Sequence, residues 1–213
     1  RFQGGAFPED GQHPSGLYQP AGEALEVSKN PLWLELREMT IAESLRVKQY
    51  RTGYVGKWHL GMDEHYPTAQ GFELNLGGCD YGQPPSYFDP YVSSRLSGIP
   101  TLAPRSEGEY LTDREAHEAV EFIRERAEEP FFLQLSNYAV HTPLQAKPAL
   151  VKEWRARKGE RDYNAVYAAM LQSLDECVGR VLDELDVLGL AEETLVLFTS
   201  DNGGLLGPTD NSP

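Results

Sequence analysis

The sequence predicts an α/β fold with a mostly parallel sheet flanked by helices. Two observations carry that prediction. Segments with helical period alternate along the chain with short, continuously apolar runs, the pattern of strand–helix–strand units. The apolar runs at 53–55 (GYV), 131–135 (FFLQL) and 194–199 (TLVLFT) lack the polar alternation of a half-exposed strand, as expected for strands covered on both faces. They are expected to be neighbouring parallel strands, with the helices near 112–127 and 163–188 packed on the sheet.

Taken in order, residues 1–38 are rich in Gly, Pro and Gln without a period, and read as surface loop. A helix follows from Thr40, which forms a capping box with Glu43, and runs to about Tyr50 before Gly53. The run at 53–55 then delivers the segment GKWHLG. Residues 62–105 form a long Gly/Pro/Tyr-rich segment, either a functional loop or an ordered structural loop with small strands. Thr112 and Glu115 suggest a second capping box, and Ala116, Ala119, Val120, Ile123 and Ala127 trace one helical face up to Pro130. The second strand is followed by NYAVHTP. A further helix over 163–188 carries Val166, Met170, Leu174, Cys177, Val181 and Leu185 at steps of three and four, and Gly189 ends it. The third strand delivers SDNGG.

Composition narrows the function classes. The chain has 213 residues, 40% apolar and 24% charged, enough to bury a core. No run approaches the roughly 18 apolar residues of a membrane helix. The formal net charge of −14 makes a poor generic binder of nucleic acid or anionic membranes. Gly and Pro are about 16% of the chain, above the average of about 12%, which predicts long ordered loops. Cys79 and Cys177 form neither a C-x-x-C metal pattern nor a disulfide framework.

Polar residues gather where chemistry is expected. Each apolar run is followed at once by unusual side chains: Lys57 and His59, then His141, then Asp201 and Asn202. Ligands of parallel α/β sheets bind beyond the carboxyl ends of the strands, so the three groups are expected to line one cavity. Asp201 and Asn202 are oxygen donors suited to a hard cation such as calcium or magnesium, and Gly203 and Gly204 let the backbone turn beside them. Lys57 offers a compact positive charge for an oxyanion. His59 and His141 can move protons near neutral pH. Together they suit hydrolysis of an anionic ester. Each has a plainer reading: an isolated D-N-G-G is more often a turn, and an isolated Lys-x-His more often surface. Shared placement after strands separates these residues from His13 and His65, read as loop surface, and from His117, read as solvated on a helix.

The segment YRTGYVGKWHLG at 50–61 closely resembles the second signature of the type I sulfatases. The resemblance continues through YPTAQGFELNLGG at 66–78, YLTDREAHEAVEFI at 110–123, AVHTP at 139–143 and LVLFTSDNGG at 195–204. It covers nearly all of the chain from Thr40 onward. The segment PPSYFDPY adds a resemblance to enzymes of the arylsulfatase and N-acetylgalactosamine-6-sulfatase type. The resemblance implies an alkaline-phosphatase-like fold, calcium, and sulfate-ester hydrolysis by a formylglycine made from cysteine or serine. It implies Lys57 as a sulfate contact, His59 as the base on the formylglycine hydrate, and His141 as a contact near the leaving group. It gives Asp201 and Asn202 as two calcium ligands. It also implies a small-molecule or carbohydrate sulfate ester as substrate, and a periplasmic or secreted protein.

The departures are equally specific. The nucleophile motif C/S-x-P-S-R is absent: Cys79 stands in GGCDYG and Cys177 in DECVG. The Asp-Asp pair of the first family strand and the lysine beyond DNGG are absent too. Residues 1–213 are therefore expected to be the central part of a sulfatase catalytic domain, inactive alone. Two alternatives stand beside this: a phosphate or phosphonate ester hydrolase of the same superfamily, and a catalytically inactive sulfatase-like binding protein.

Overall fold

The computed structural model describes residues 33–157 and 163–203. Its centre is a three-stranded parallel sheet in the order β2-β1-β3, with β1 Arg51–Gly56, β2 Leu74–Leu76 and β3 Phe131–Ser136. Gly53 lies opposite both Leu74 and Leu133, and Gly56 opposite Ser136, so β1 and β3 end level with each other. That shared end sets the site.

Helices α1 (Ile41–Arg46) and α2 (Leu111–Glu125) pack on the sheet, and α3 (Pro148–Ala156) and α4 (Ala165–Val187) form an outer layer on α2. Side chains alternate along β1. Tyr54 packs edge-on to Trp58 and Phe72 in a cluster with Ala42 of α1, and Phe72 stacks on Phe132 of β3. On the opposite face Gly53 leaves room for the Phe122 ring of α2: a Cβ there would sit 2.7 Å from that ring. Strand β1 is thus covered on both faces, as its continuous apolar run predicts, whereas β3 is only half-buried along its length, with Gln134 exposed.

Thr40 caps α1 as the sequence predicts: its hydroxyl accepts from the Glu43 N–H, and the Glu43 carboxylate accepts from the Thr40 N–H. The helix stops at Arg46 rather than near Tyr50, and the chain turns through Gln49 at a positive φ of 64°. Asn164 caps α4 by accepting from the N–H groups of Val166 and Tyr167. Gly189, at φ 70°, ends α4 with the Leu190 N–H donating back to the Leu185 carbonyl, the Schellman arrangement. Met170 and Cys177 of the expected α4 stripe are fully buried. Replacing Met170 with Ala is expected to cost about 2–5 kcal/mol, because a buried site loses transfer energy and keeps a cavity; a urea midpoint shift checks it.

Further expectations are corrected, narrowed or extended. Thr112 and Glu115 form no capping box: Tyr110 is the N-cap, without a side-chain bond, because the Glu115 carboxylate turns inward to Asn137 and Tyr138. The segment 62–105 holds β2 and two short 3-10 turns, Asp63–His65 and Pro67–Gln70, and buries Tyr87, Tyr91, Ile99 and Leu102, so it is an ordered structural loop. Helix α3 arises inside a stretch without an expected element; Pro148, preset for a helical first turn, starts it. The run at 194–199 is not a strand, and Leu195 and Leu197 are more than 80% exposed. Apolar character called for a covered strand, but a strand also needs a backbone partner, and none pairs with this run among the described residues. Helix α4 packs on α2 and α3 rather than on the sheet.

Candidate active site

Lys57, the first residue after β1, is half-buried, and its N–H donates to the Ser136 carbonyl of β3 at 2.7 Å. The Tyr54 hydroxyl donates to the Lys57 carbonyl, which fixes the turn from both sides. Burial lowers the Lys57 pKa from its ordinary value, and the Asp201 carboxylate opposes that shift. The turn depends on Gly56, whose φ is 99°.

His59 follows with φ 57°, a left-handed conformation uncommon among residues other than Gly, though His adopts it more readily than most. Its N–H donates to the Cys79 carbonyl at 2.9 Å. Its ring lies against Gly82, where a Cβ would come within 2.7 Å of the imidazole Cε1. The neighbouring Gln83 accepts from the Thr142 hydroxyl at 3.1 Å, and Thr142 adjoins His141. The loop at 82–83 therefore lies between the His59 ring and the 141–142 turn. His141 is exposed; its Nδ1 lies 3.0 Å from the Thr142 carbonyl, and its own N–H donates to the Tyr138 carbonyl.

Asp201 and Asn202 are exposed at the end of the run 194–203. The Asn202 amide donates to Asp201 Oδ2 at 2.9 Å, and the Ser200 hydroxyl accepts from the Gly203 N–H. The remaining carboxylate and amide oxygens are hard donors, so the pair fits a hard divalent cation in chemical type. They are two donors, however, and no group of three or more His, Cys, Asp or Glu side chains able to hold a metal occurs among the described residues. Gly204 lies outside the described residues.

The structure thus brings Lys57, His59 and His141 to the carboxyl end of the sheet, with Asp201 near enough to act on the lysine. A cavity of about 760 Å³ lies elsewhere, between α3 and α4, lined by Trp154, Tyr163, Tyr167 and Leu171 among others, and none of the five residues lines it. His117 is half-buried between α2 and α4 rather than solvated, and His65 stacks beside Trp33 at 5.4 Å. His13 lies outside the described residues. Cys79 and Cys177 are buried free thiols, with burial pushing them up to about 11 and about 12.

Sequence reasoning missed Glu115. It is fully buried, and burial pushes its carboxyl up to about 7 against the hydrogen bonds from Asn137 and Tyr138. The available signal was a carboxylate inside an apolar helical stripe, between Leu111 and Ala119.

A parallel α/β sheet with an ammonium and two imidazoles following its strand ends is an arrangement chemically suited to an anion at that edge. Comparison with known proteins gives the family. The sulfatase family model matches residues 15–213, and the chain belongs to the sulfatase family. A sulfatase of Formosa agariphila is 39% identical over 228 residues, covering 82% of this chain and 40% of its own length. Human arylsulfatase A is 31% identical, covering 80% of this chain and 36% of its own length. Human N-acetylgalactosamine-6-sulfatase is 32% identical, covering 79% and 33%. The chain therefore spans 33–40% of the length of these relatives. Among solved structures, Ps i-CgsB superposes with a TM-score of 0.61 at 26% identity, covering 76% of this chain and 39% of its own, and has also been solved with k-i-k-neocarrahexaose. The putative sulfatase yidJ of Bacteroides fragilis matches in fold at a TM-score of 0.56 and 20% identity, covering 75% and 42%. The fold is the alkaline-phosphatase-like one that the sequence resemblance implied, represented here in part.

Proposed function

We propose that this chain is the central part of a catalytic domain that hydrolyses sulfate esters of carbohydrates. The observation that carries the reading is the half-buried Lys57 immediately past β1, with His59 following the same strand and His141 the end of β3. A sulfate ester is a monoanion whose charge grows on the leaving and non-bridging oxygens as the S–O bond breaks. A lysine held out of bulk water stabilises that charge more strongly than an exposed one. Lys57 would bind a sulfate oxygen. His59 would accept the proton from the attacking oxygen. His141, which is exposed, would face the leaving alcohol, which departs with a proton while the sulfate keeps the oxygen of water.

Asp201 and Asn202 would supply two oxygen ligands to calcium, and when bound such a cation adds positive charge opposite the sulfate oxygens. The nucleophile would be a formylglycine outside this sequence, so the 213-residue chain alone is expected to show no turnover. A carbohydrate substrate is supported by the sugar ligand of Ps i-CgsB and the name of N-acetylgalactosamine-6-sulfatase. The reading carries with it a secreted or periplasmic protein.

The test uses the full-length parent on paired aryl sulfate and aryl phosphate esters, with and without EGTA. Sulfate hydrolysis exceeding phosphate hydrolysis, lost on chelation and restored by calcium, is the expected result. Phosphate hydrolysis alone would support the phosphatase alternative, and no turnover of either the binding protein.

A further inference from the structure

Tyr138 holds both ends of the proposed site through hydrogen bonds of its backbone and side chain. Its N–H donates to Glu115 Oε1 at 3.2 Å, while Glu115 Oε2 accepts from the Asn137 amide at 2.8 Å. Its carbonyl accepts from the His141 N–H at 3.0 Å. The Tyr87 hydroxyl sits between the Tyr138 carbonyl at 2.8 Å and the His141 carbonyl at 2.9 Å, closing the turn that presents His141. On the other side, the Tyr138 hydroxyl donates to the Gly77 carbonyl at 2.9 Å and meets the Cys79 Sγ at 3.6 Å. The Cys79 carbonyl accepts from the His59 N–H. One side chain thus spans from the segment that anchors His59 to the turn that carries His141.

The arrangement is built rather than incidental. Tyr138 is 1% exposed, and Glu115 and Tyr87 are almost completely buried. A buried carboxylate is costly unless its hydrogen bonds are made, and both bonds of Glu115 go to the residues that leave β3. An apolar residue at 115 would fill the same helical stripe at no such cost.

We infer that Tyr138, clamped by Glu115, is a positioning residue that sets His59 and His141 relative to each other. The inference rests on the proposed roles of those histidines, although the positioning itself can be read without any activity. Tyr138→Phe deletes only the hydroxyl, so it releases the Gly77–Cys79 segment while leaving the backbone bonds to Glu115 and His141. Glu115→Gln keeps the shape but places an amide N–H against a donor, loosening the clamp from the other end.

The experiment combines steady-state kinetics of the full-length parent with NMR of its ¹³C-labelled histidines. For both variants kcat is expected to fall about tenfold or more with KM within about twofold. Tyr138→Phe should move the Cε1–H resonance of His59, and Glu115→Gln, which loosens Tyr138 itself, those of both His59 and His141, while that of His117 stays. Ser173→Ala, which removes a buried hydroxyl inside α4, should change neither kcat nor those resonances. A kcat within twofold of wild type, an unmoved His59 resonance in Tyr138→Phe, or an unmoved His59 or His141 resonance in Glu115→Gln overturns the inference. If the parent lacks sulfatase activity, the function reading fails, and the paired resonance shifts alone decide the positioning. Should Tyr138→Phe not fold, Glu115→Gln carries the same readouts.

Discussion

His59→Ala in the full-length parent is expected to lower kcat by about 10²–10⁴-fold, the usual contribution of a positioned general base, while His117→Ala stays within about twofold. The backbone at His59 explains why the residue is the stronger wager. Its φ of 57° is a conformation that a side chain adopts at an energetic cost, held by the bond to the Cys79 carbonyl, and such strain gathers where orientation matters. Gly82 completes the seat, because any larger residue there would collide with the imidazole. Strain alone could reflect only a tight turn, so His59→Asn separates the two causes. Asparagine tolerates the left-handed conformation and keeps a polar side chain, but it cannot take up a proton. Equal losses in the Ala and Asn variants assign the effect to proton transfer. Recovery in the Asn variant assigns it to the turn and removes His59 from the proposed chemistry.

How much of this was legible in the sequence depends on the range of the interaction concerned. The α1 cap was legible because Thr40 and Glu43 need only each other. Strand β1 was legible because covering both faces leaves a continuous apolar run, and β3 because its apolar run still packs in part, through Phe131 and Phe132 on Phe122 and Phe72, and neither inference depends on the strand partner. The same logic misled at 194–199, since an apolar run reports a demand for burial and not whether a neighbouring edge meets it. Strand β2 has three residues, too few for any period. The positions of Lys57, His59 and His141 followed from topology, because residues just past parallel strands share one edge. Their supports did not. Glu115 resembled a capping residue by its spacing from Thr112, and only the fold shows Asn137 and Tyr138 competing successfully for its carboxylate.

Gly56→Ala is expected to be the most damaging single substitution in the described sheet. Two independent costs add at this residue. Its φ of 99° lies outside the range an L side chain occupies readily. A Cβ there would also drive into the Ser136 carbonyl oxygen, lie 2.7 Å from its carbon, and approach Glu115 Oε1 at 3.2 Å. None of these can step aside cheaply: the Ser136 carbonyl accepts from Lys57, and Glu115 is fixed by Asn137 and Tyr138. Relief would require β1 and β3 to separate at the end where the site is built. The combined cost should reach about 4 kcal/mol or more, the range reserved for strain joined to a broken buried network. Gly108 is the matched control, because its φ of 79° carries the same backbone preference while nothing lies within 4 Å of its Cβ direction. Gly108→Ala should therefore cost only about 1 kcal/mol. Urea denaturation of both variants in the full-length parent gives the comparison, and similar midpoints would mean that β1 and β3 do not meet so closely. Where Gly56→Ala still folds, turnover should fall with it, since the displaced atoms are those that hold Lys57 over the last carbonyl of β3.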